Sequence, residues 1–231
     1  MSEATLQGRL AALQGRLASA CARAGRSPDA VTLVAVSKTF DAAAVAEAYA
    51  LGLRDFGENY VQELSAKQAA LAHLEGLRWH MIGHLQRNKA RAVVPGVAML
   101  QSLDSVALAV EVSKRAAEAR RSLPVLVQVN VGGEAQKSGC APGALGALLD
   151  AVEALPGVSL SGLMTVPPHT EDPAGARPFF DALLALREAH GGPSRLPVVS
   201  MGMTHDLEVA VAAGATMVRV GNALFGSRKT D

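Results

Sequence analysis

Lys38 closes the apolar run Val31-Thr-Leu-Val-Ala-Val-Ser-Lys38 and is one of six lysines in the chain, the others standing at 67, 89, 114, 137 and 229. An amine at the C-terminal end of a buried strand sits at the mouth of a sheet or barrel, where a deprotonated nitrogen can attack a carbonyl carbon. A plainer reading makes Lys38 a strand terminator whose stem lies along apolar surface while its ammonium reaches water. A second group of chemically capable residues lies near the end of the chain, in Ser200-Met-Gly-Met-Thr204-His-Asp206 and Arg219-Val-Gly221-Asn222-Ala-Leu-Phe-Gly226. Gly202 and Gly221 let backbone N–H groups approach an anion, Ser200 and Thr204 carry hydroxyl donors, and a short helix opening near Asn222 turns its first amides the same way. Together they suit a phosphate, although glycines that end strands and hydroxyls that cap helices use the same residues.

These residues need a frame, and the chain supplies a regular one. The N-terminal stretch repeats Leu6-Gln-Gly-Arg-Leu-Ala-Ala as Leu13-Gln-Gly-Arg-Leu-Ala-Ser, which places Leu6, Leu10, Leu13 and Leu17 on one helical stripe. Residues 1–27 are therefore expected to form a helix packed on the body of the domain. Apolar runs that read as buried parallel strands then alternate with helical segments: strands at 31–38, 54–57, 77–83, 97–101, 124–131, 158–166, 197–201 and 216–221, with helices at 41–52, 60–73, 86–94, 105–120, 144–154, 173–190 and 206–213. Eight such units within 231 residues predict a single (β/α)8 TIM barrel spanning 1–231, with an open doubly wound sheet as the weaker alternative. In a barrel the βα loops at the C-terminal ends of the strands build the site, and there the end of the first strand meets the ends of the seventh and eighth.

Composition narrows the partners. With 22 basic and 21 acidic residues the net charge is +1, so there is no general field to attract nucleic acid or an anionic membrane. No apolar run approaches the ~18 residues of a membrane span, and the N-terminus lacks a signal-peptide core. Cys21 and Cys140 fit neither a disulfide framework nor a zinc site, which suits a reducing compartment. A cytoplasmic monomer is expected.

A barrel-mouth lysine beside a phosphate corner suggests pyridoxal 5′-phosphate (PLP), whose aldehyde needs an amine and whose phosphate needs a nest of donors. An ammonium is not a nucleophile, so a partly desolvated position near a cation would favour the neutral amine. Arg219, on an otherwise apolar strand, is the candidate cation. It faces either the phosphate or the pyridine nitrogen, and in the second case its charge would oppose pyridinium formation and weaken the ring as an electron sink.

The blocks Leu33-Val-Ala-Val-Ser-Lys38, Phe56-Gly-Glu-Asn-Tyr-Val-Gln-Glu63, Trp79-His-Met-Ile-Gly-His-Leu-Gln-Arg-Asn-Lys89, Gln128-Val-Asn-Val131 with Glu134 and Lys137-Ser-Gly139, Gly162-Leu-Met164, Ser200-Met-Gly-Met203 and Val218-Arg-Val-Gly-Asn-Ala-Leu-Phe-Gly226 follow one another in order. Over nearly the whole chain they resemble the pyridoxal phosphate homeostasis protein family, which is related to the barrel domain of alanine racemase. The resemblance implies a fold-type-III barrel that holds PLP as a Schiff base on Lys38, with Asn59 close to the ring. It places phosphate contacts around Ser200, Gly202, Thr204, Arg219, Gly221 and Asn222. Thr204 stands where the family more often shows serine, and the hydroxyl is kept. It further implies a carrier that supplies PLP to apo-enzymes.

Other residues carry weaker readings. His80 and His84 have strand spacing for one face, but with no completing ligand they read as packing or as support for another group. Glu58 and Asn59 end the second strand and are placed to face the pocket. Lys137 brings either a second amine to the mouth or a solvated loop charge, and Cys140 beside it is a candidate reactive thiol. Two enzyme readings compete with the carrier. A PLP-dependent amino-acid racemase needs a second base, which alanine racemase takes from a further domain, and this chain ends soon after its eighth strand with only Tyr49 and Tyr60 as tyrosines. A phosphate-sugar isomerase barrel leaves Lys38 unexplained.

Overall fold

A computed structural model of the chain describes residues 5–134 and 136–226. The chain opens with α1 (Leu6–Arg23), whose Leu6, Leu10, Leu13 and Leu17 are all buried, as the repeat predicts. Thr5 caps it by accepting from the amide of Gly8. The alternation then runs β1 (Thr32–Val36), α2 (Ala42–Ala50), β2 (Asp55–Glu58), α3 (Val61–Ala70), β3 (Arg78–Met81), α4 (Ala90–Val93), β4 (Met99–Leu103), α5 (Val106–Glu118), β5 (Leu123–Gln128) and α6 (Leu145–Glu153). It continues with β6 (Val158–Met164), α7 (Arg177–Ala189), α8 (Gly192–Arg195), β7 (Val198–Ser200), α9 (Leu207–Ala213), β8 (Met217–Val220) and α10 (Asn222–Phe225).

The strands close in sequence order into one parallel barrel, with β8 returning to pair with β1. That closure sets Thr32 opposite Met217 and Val34 opposite Arg219, which brings the two ends of the fold into one corner. Helices cover the outside, and the main apolar cluster lies between their inner faces and the strands. Side chains also fill the barrel itself: a methyl group added at Gly57 would meet Val34 and Ile82 at 3.0–3.1 Å.

The departures from the expected boundaries are local. β4 starts at Met99 and runs through Gln101 and Ser102 to Leu103, two residues later than the apolar pattern suggests, because both polar residues are fully buried and hydrogen-bonded inside the fold. The expected helix over 86–94 is a 3₁₀ turn (Arg87–Lys89), the single turn α4 and a second 3₁₀ turn (Val94–Gly96), since Pro95 lacks the N–H that a longer α-helix would use there. The turn α8 has no counterpart in the sequence pattern; Gly191, at φ 106°, breaks the chain away from α7 before it.

The N-terminal segment is fastened by arginines. Arg9 donates to the carbonyls of Leu224 and Phe225, Arg16 to Glu208 and the carbonyl of Thr204, and Arg26 to the carbonyls of Val211 and Ala215.

Candidate functional site

Lys38 lies two residues beyond β1, at the C-terminal rim of the barrel. With Asn59, Thr204, Arg219, Gly221 and Asn222 it lines one cavity of about 300 Å³. Six of the eight residues singled out from the sequence thus converge from β1, β2, β7 and β8. The volume sits at the lower end of the ~300–1,000 Å³ usual for small-molecule pockets. Lys38 is half-buried, and its amine forms no ion pair or hydrogen bond among the described residues.

Arg219 is buried at the cavity. Its Nη1 donates to Ser200 Oγ at 2.6 Å and its Nη2 to the carbonyl of Thr165 at 2.8 Å. Burial lowers its pKa to about 10, with Asp206 opposing, so it stays a cation at neutral pH. Two fixed bonds on a planar fork leave little freedom, which makes Arg219 an aimed positive charge.

Ser200 and Gly202 sit behind the cavity and do not line it. The Ser200 hydroxyl accepts from Arg219 and donates to Gln101 Oε1 at 2.7 Å, so it is committed to supporting the arginine. Gly202, at φ +91°, accepts the Arg219 amide through its carbonyl, and a Cβ there would stand 2.4 Å from the Cβ of Ala210. Thr204 Oγ1 receives the amide of Ala223 at 3.4 Å, which draws the loop after β7 against the opening of α10. The backbone at Asn59 is pinned from the next loop: a Cβ on Gly83 would lie 2.3 Å from the Asn59 carbonyl oxygen, an approach only glycine permits.

Glu58 does not face the cavity. It lies fully buried behind Lys38, where Oε1 accepts from Ser37 Oγ at 2.7 Å and from Lys67 Nζ at 2.6 Å. Burial raises its pKa against the pull of Lys67 and Ser37, and its Oε2 has no partner among the described residues. Lys67 also donates to the carbonyl of Ser37 at 2.7 Å and to Glu63, which in turn accepts the amide of Thr39 at 2.7 Å. Thr39 holds φ +67°, a strained conformation for a β-branched residue. The Glu58–Lys67–Glu63 cluster therefore grips the residues on both sides of Lys38. Sequence reasoning missed Lys67. The available signal was its place three residues after Leu64 and four before Leu71, on the buried stripe of α3.

The remaining candidates separate. His80 is buried in the barrel, whereas His84 lies outside β3 near Asp104, so the two share no face. Lys137 is tied to Glu134 and to the carbonyl of Pro167. Cys140 is buried, and burial together with nearby Asp104 pushes its thiol to about 11, the reverse of a reactive cysteine. Lys229 lies outside the described residues. Met203 and His205 join the cavity wall without any chemical pattern that marked them in advance.

The sequence matches the family described as alanine racemase, N-terminal domain, over residues 9–229. It is 47% identical over 225 residues to the pyridoxal phosphate homeostasis protein of Pseudomonas aeruginosa, covering 97% of this chain and 96% of that one. Identity to the protein of the same name from Aquifex aeolicus is 44% over 223 residues, covering 96% and 97%. Among solved structures, PipY of Synechococcus elongatus with PLP bound superposes with a TM-score of 0.82 at 39% identity, covering 96% of this chain and 100% of that one. An amine and a guanidinium on one small cavity, in a closed eight-stranded barrel, agree with these matches: the chain belongs to the alanine racemase N-terminal domain family and, within it, to the pyridoxal phosphate homeostasis proteins.

Proposed function

We propose that this protein binds PLP in the cavity at the barrel mouth, holds it covalently through Lys38, and releases it to apo-enzymes without turning over amino acids itself. The observation that carries the proposal is the juxtaposition, on one cavity of about 300 Å³, of a lysine amine without a bonding partner among the described residues and a fixed guanidinium. That space suits a substituted pyridine bearing one phosphate and is too small for a dinucleotide. PLP supplies an aldehyde that condenses with amines and a ring that can take up electrons from a bound substrate.

Each residue has a task in this reading. Lys38 Nζ would hold the aldehyde carbon, whose oxygen would leave as water, and the Glu58–Lys67–Glu63 cluster holds the lysine's loop in place. Thr204, Gly221 and Asn222 present a hydroxyl and backbone amides to the phosphate. Asn59 orients the ring from the side of β2. Arg219 contributes a permanent positive charge; beside a ring nitrogen such a charge disfavours protonation and so weakens electron withdrawal, which favours storage over turnover. Neither Tyr49 nor Tyr60 lines the cavity, and Tyr49 spends its hydroxyl on the carbonyl of Glu75, so no tyrosine supplies the second base that racemisation needs.

Borohydride reduction of the PLP-loaded protein followed by peptide mapping should place the pyridoxyl group on Lys38; finding it mainly on Lys137 or Lys229 overturns the site. The loaded protein should then activate an apo PLP enzyme. Exchange of the α-proton of alanine in deuterium oxide at about 1 per second or faster, a rate ordinary for enzymes, would establish the racemase reading instead.

A further inference from the structure

A file of polar side chains crosses the barrel interior, where aliphatic layers are the rule. Beneath Arg219, Ser200 Oγ donates to Gln101 Oε1 at 2.7 Å, Gln101 Nε2 lies 3.0 Å from His80 Nδ1, and His80 Nε2 lies 2.9 Å from Asp55 Oδ1. Ser200 and Gln101 are fully buried and His80 nearly so. The file starts at the cavity, near the C-terminal ends of β7 and β8. It ends at the first residue of β2, where Asp55 pairs with Arg78, a side chain 55% exposed at the opposite end of the barrel.

The two ends fix the direction of every bond between them. A guanidinium can only donate. An ionised carboxylate can only accept, and Asp55 is ionised: burial would push its pKa up, but the bonds from Arg78 and His80 hold it at about 2. Each group in between has one donor and one acceptor facing its neighbours. With Arg219 donating into Ser200, the serine proton must go to Gln101 Oε1. The Gln101 amide nitrogen must then donate to His80 Nδ1, and the Nε2 proton of His80 must go to Asp55. The second amide proton of Gln101 points at Met217 Sδ, 3.1 Å away, which an amide oxygen in that place would not satisfy. Turning the amide over would place its oxygen on His80 Nδ1. Both ring nitrogens would then need protons, and Ser200 would receive two donors at once.

We infer that this file is a one-directional hydrogen-bond relay in which Gln101 and His80 are positioning residues for Arg219, keeping the Ser200 lone pair turned toward the guanidinium and thereby coupling the His80 ring to the occupancy of the cavity. The inference rests on PLP as the occupant only for the coupling; the direction of the relay stands on the protein alone. A buried polar file with every member satisfied fixes one arrangement, whereas one missing member strands its neighbours.

Nitrogen NMR of the full-length protein labelled at histidine, with His80→Phe used to assign the signal, reads the relay directly. The expected spectrum is a neutral His80 with a protonated Nε2 and a bare Nδ1 that shifts when PLP is added. An imidazolium or an Nδ1–H tautomer in the unaltered protein overturns the relay, and so does a His80 signal indifferent to PLP while Lys38 becomes labelled. Gln101→Met preserves volume and should weaken PLP binding about tenfold, whereas Gln101→Glu, which keeps an acceptor for Ser200, should restore most of that loss and turn His80 into an imidazolium. A packing role predicts the reverse order, with methionine tolerated and the buried charge penalised, and that result also overturns the inference. If PLP fails to label Lys38 at all, the cofactor assignment falls, while the His80 tautomer still decides the direction of the relay.

Discussion

Replacing Lys67 by methionine keeps the stem and removes the ammonium that contacts Glu58, Glu63 and the carbonyl of Ser37. Side-chain exposure is 7% for Lys67 and 0% for Glu58, so the pair is desolvated and a surface value of below about 1 kcal/mol does not apply. Removing one member of a buried pair costs about 3–5 kcal/mol when the other charge stays. Glu58 has an escape, because its unpartnered Oε2 can take a proton. The loss at neutral pH should therefore fall near the lower end, about 3 kcal/mol, or roughly 6–12 °C in Tm for a chain of this size.

The pH dependence stems from the raised native pKa of Glu58. Just above the ordinary glutamate range the native state holds more protons than the unfolded state, so stability falls as pH rises through that window. Lys67→Met pushes the native value higher, widens the window and makes the penalty larger at about pH 8 than at about pH 5. Urea titrations at both pH values provide the assay, with Glu58→Gln/Lys67→Met expected to recover more than half of the loss by removing the stranded charge. A penalty below about 1 kcal/mol, one that is equal at both pH values, or penalties that simply add in the double variant would refute this account of the pair.

Arg219→Gln should weaken PLP binding roughly tenfold to a hundredfold, the worth of a charge-assisted bond, as read by equilibrium dialysis; unchanged affinity would make Arg219 structural. Lys38→Ala should abolish borohydride labelling and leave urea stability within about 0.5 kcal/mol, because the side chain makes no bond to the described residues. Cys140, with its thiol at about 11, should resist iodoacetamide at neutral pH in the folded protein and react on unfolding, and rapid labelling of the native chain would contradict the assigned burial.

The barrel was legible because apolar runs such as β1 and β5 alternate regularly with capped helices, and the cavity because Lys38, Arg219 and the Gly221-Asn222 turn all stand at strand C-termini. What escaped the sequence has one physical source, namely partners distant along the chain. Gln101 reads as a polar residue closing β4, yet its partners are His80 and Ser200, 21 and 99 residues away. Ser200 reads as a phosphate donor and instead spends its hydroxyl beneath the arginine. Helical periodicity puts Lys67 on the buried stripe of Leu64 and Leu71, but the periodicity does not name its partner, the buried carboxylate of Glu58.

The arginines of α1 have a consequence for how the site comes into being. Arg16 reaches the carbonyl of Thr204 across 188 residues of sequence, and Arg9 reaches α10 across 215 and 216. A ribosome releases α1 first, and that helix must wait, apolar stripe uncovered, until β7, β8 and α10 have emerged. Such distant closures are slow to form and leave the nascent chain open to aggregation. The corner built from Thr204, Gly221 and Asn222 thus forms late: a chain made only as far as β8 carries all eight barrel strands yet lacks the clasp that draws α1 to α10.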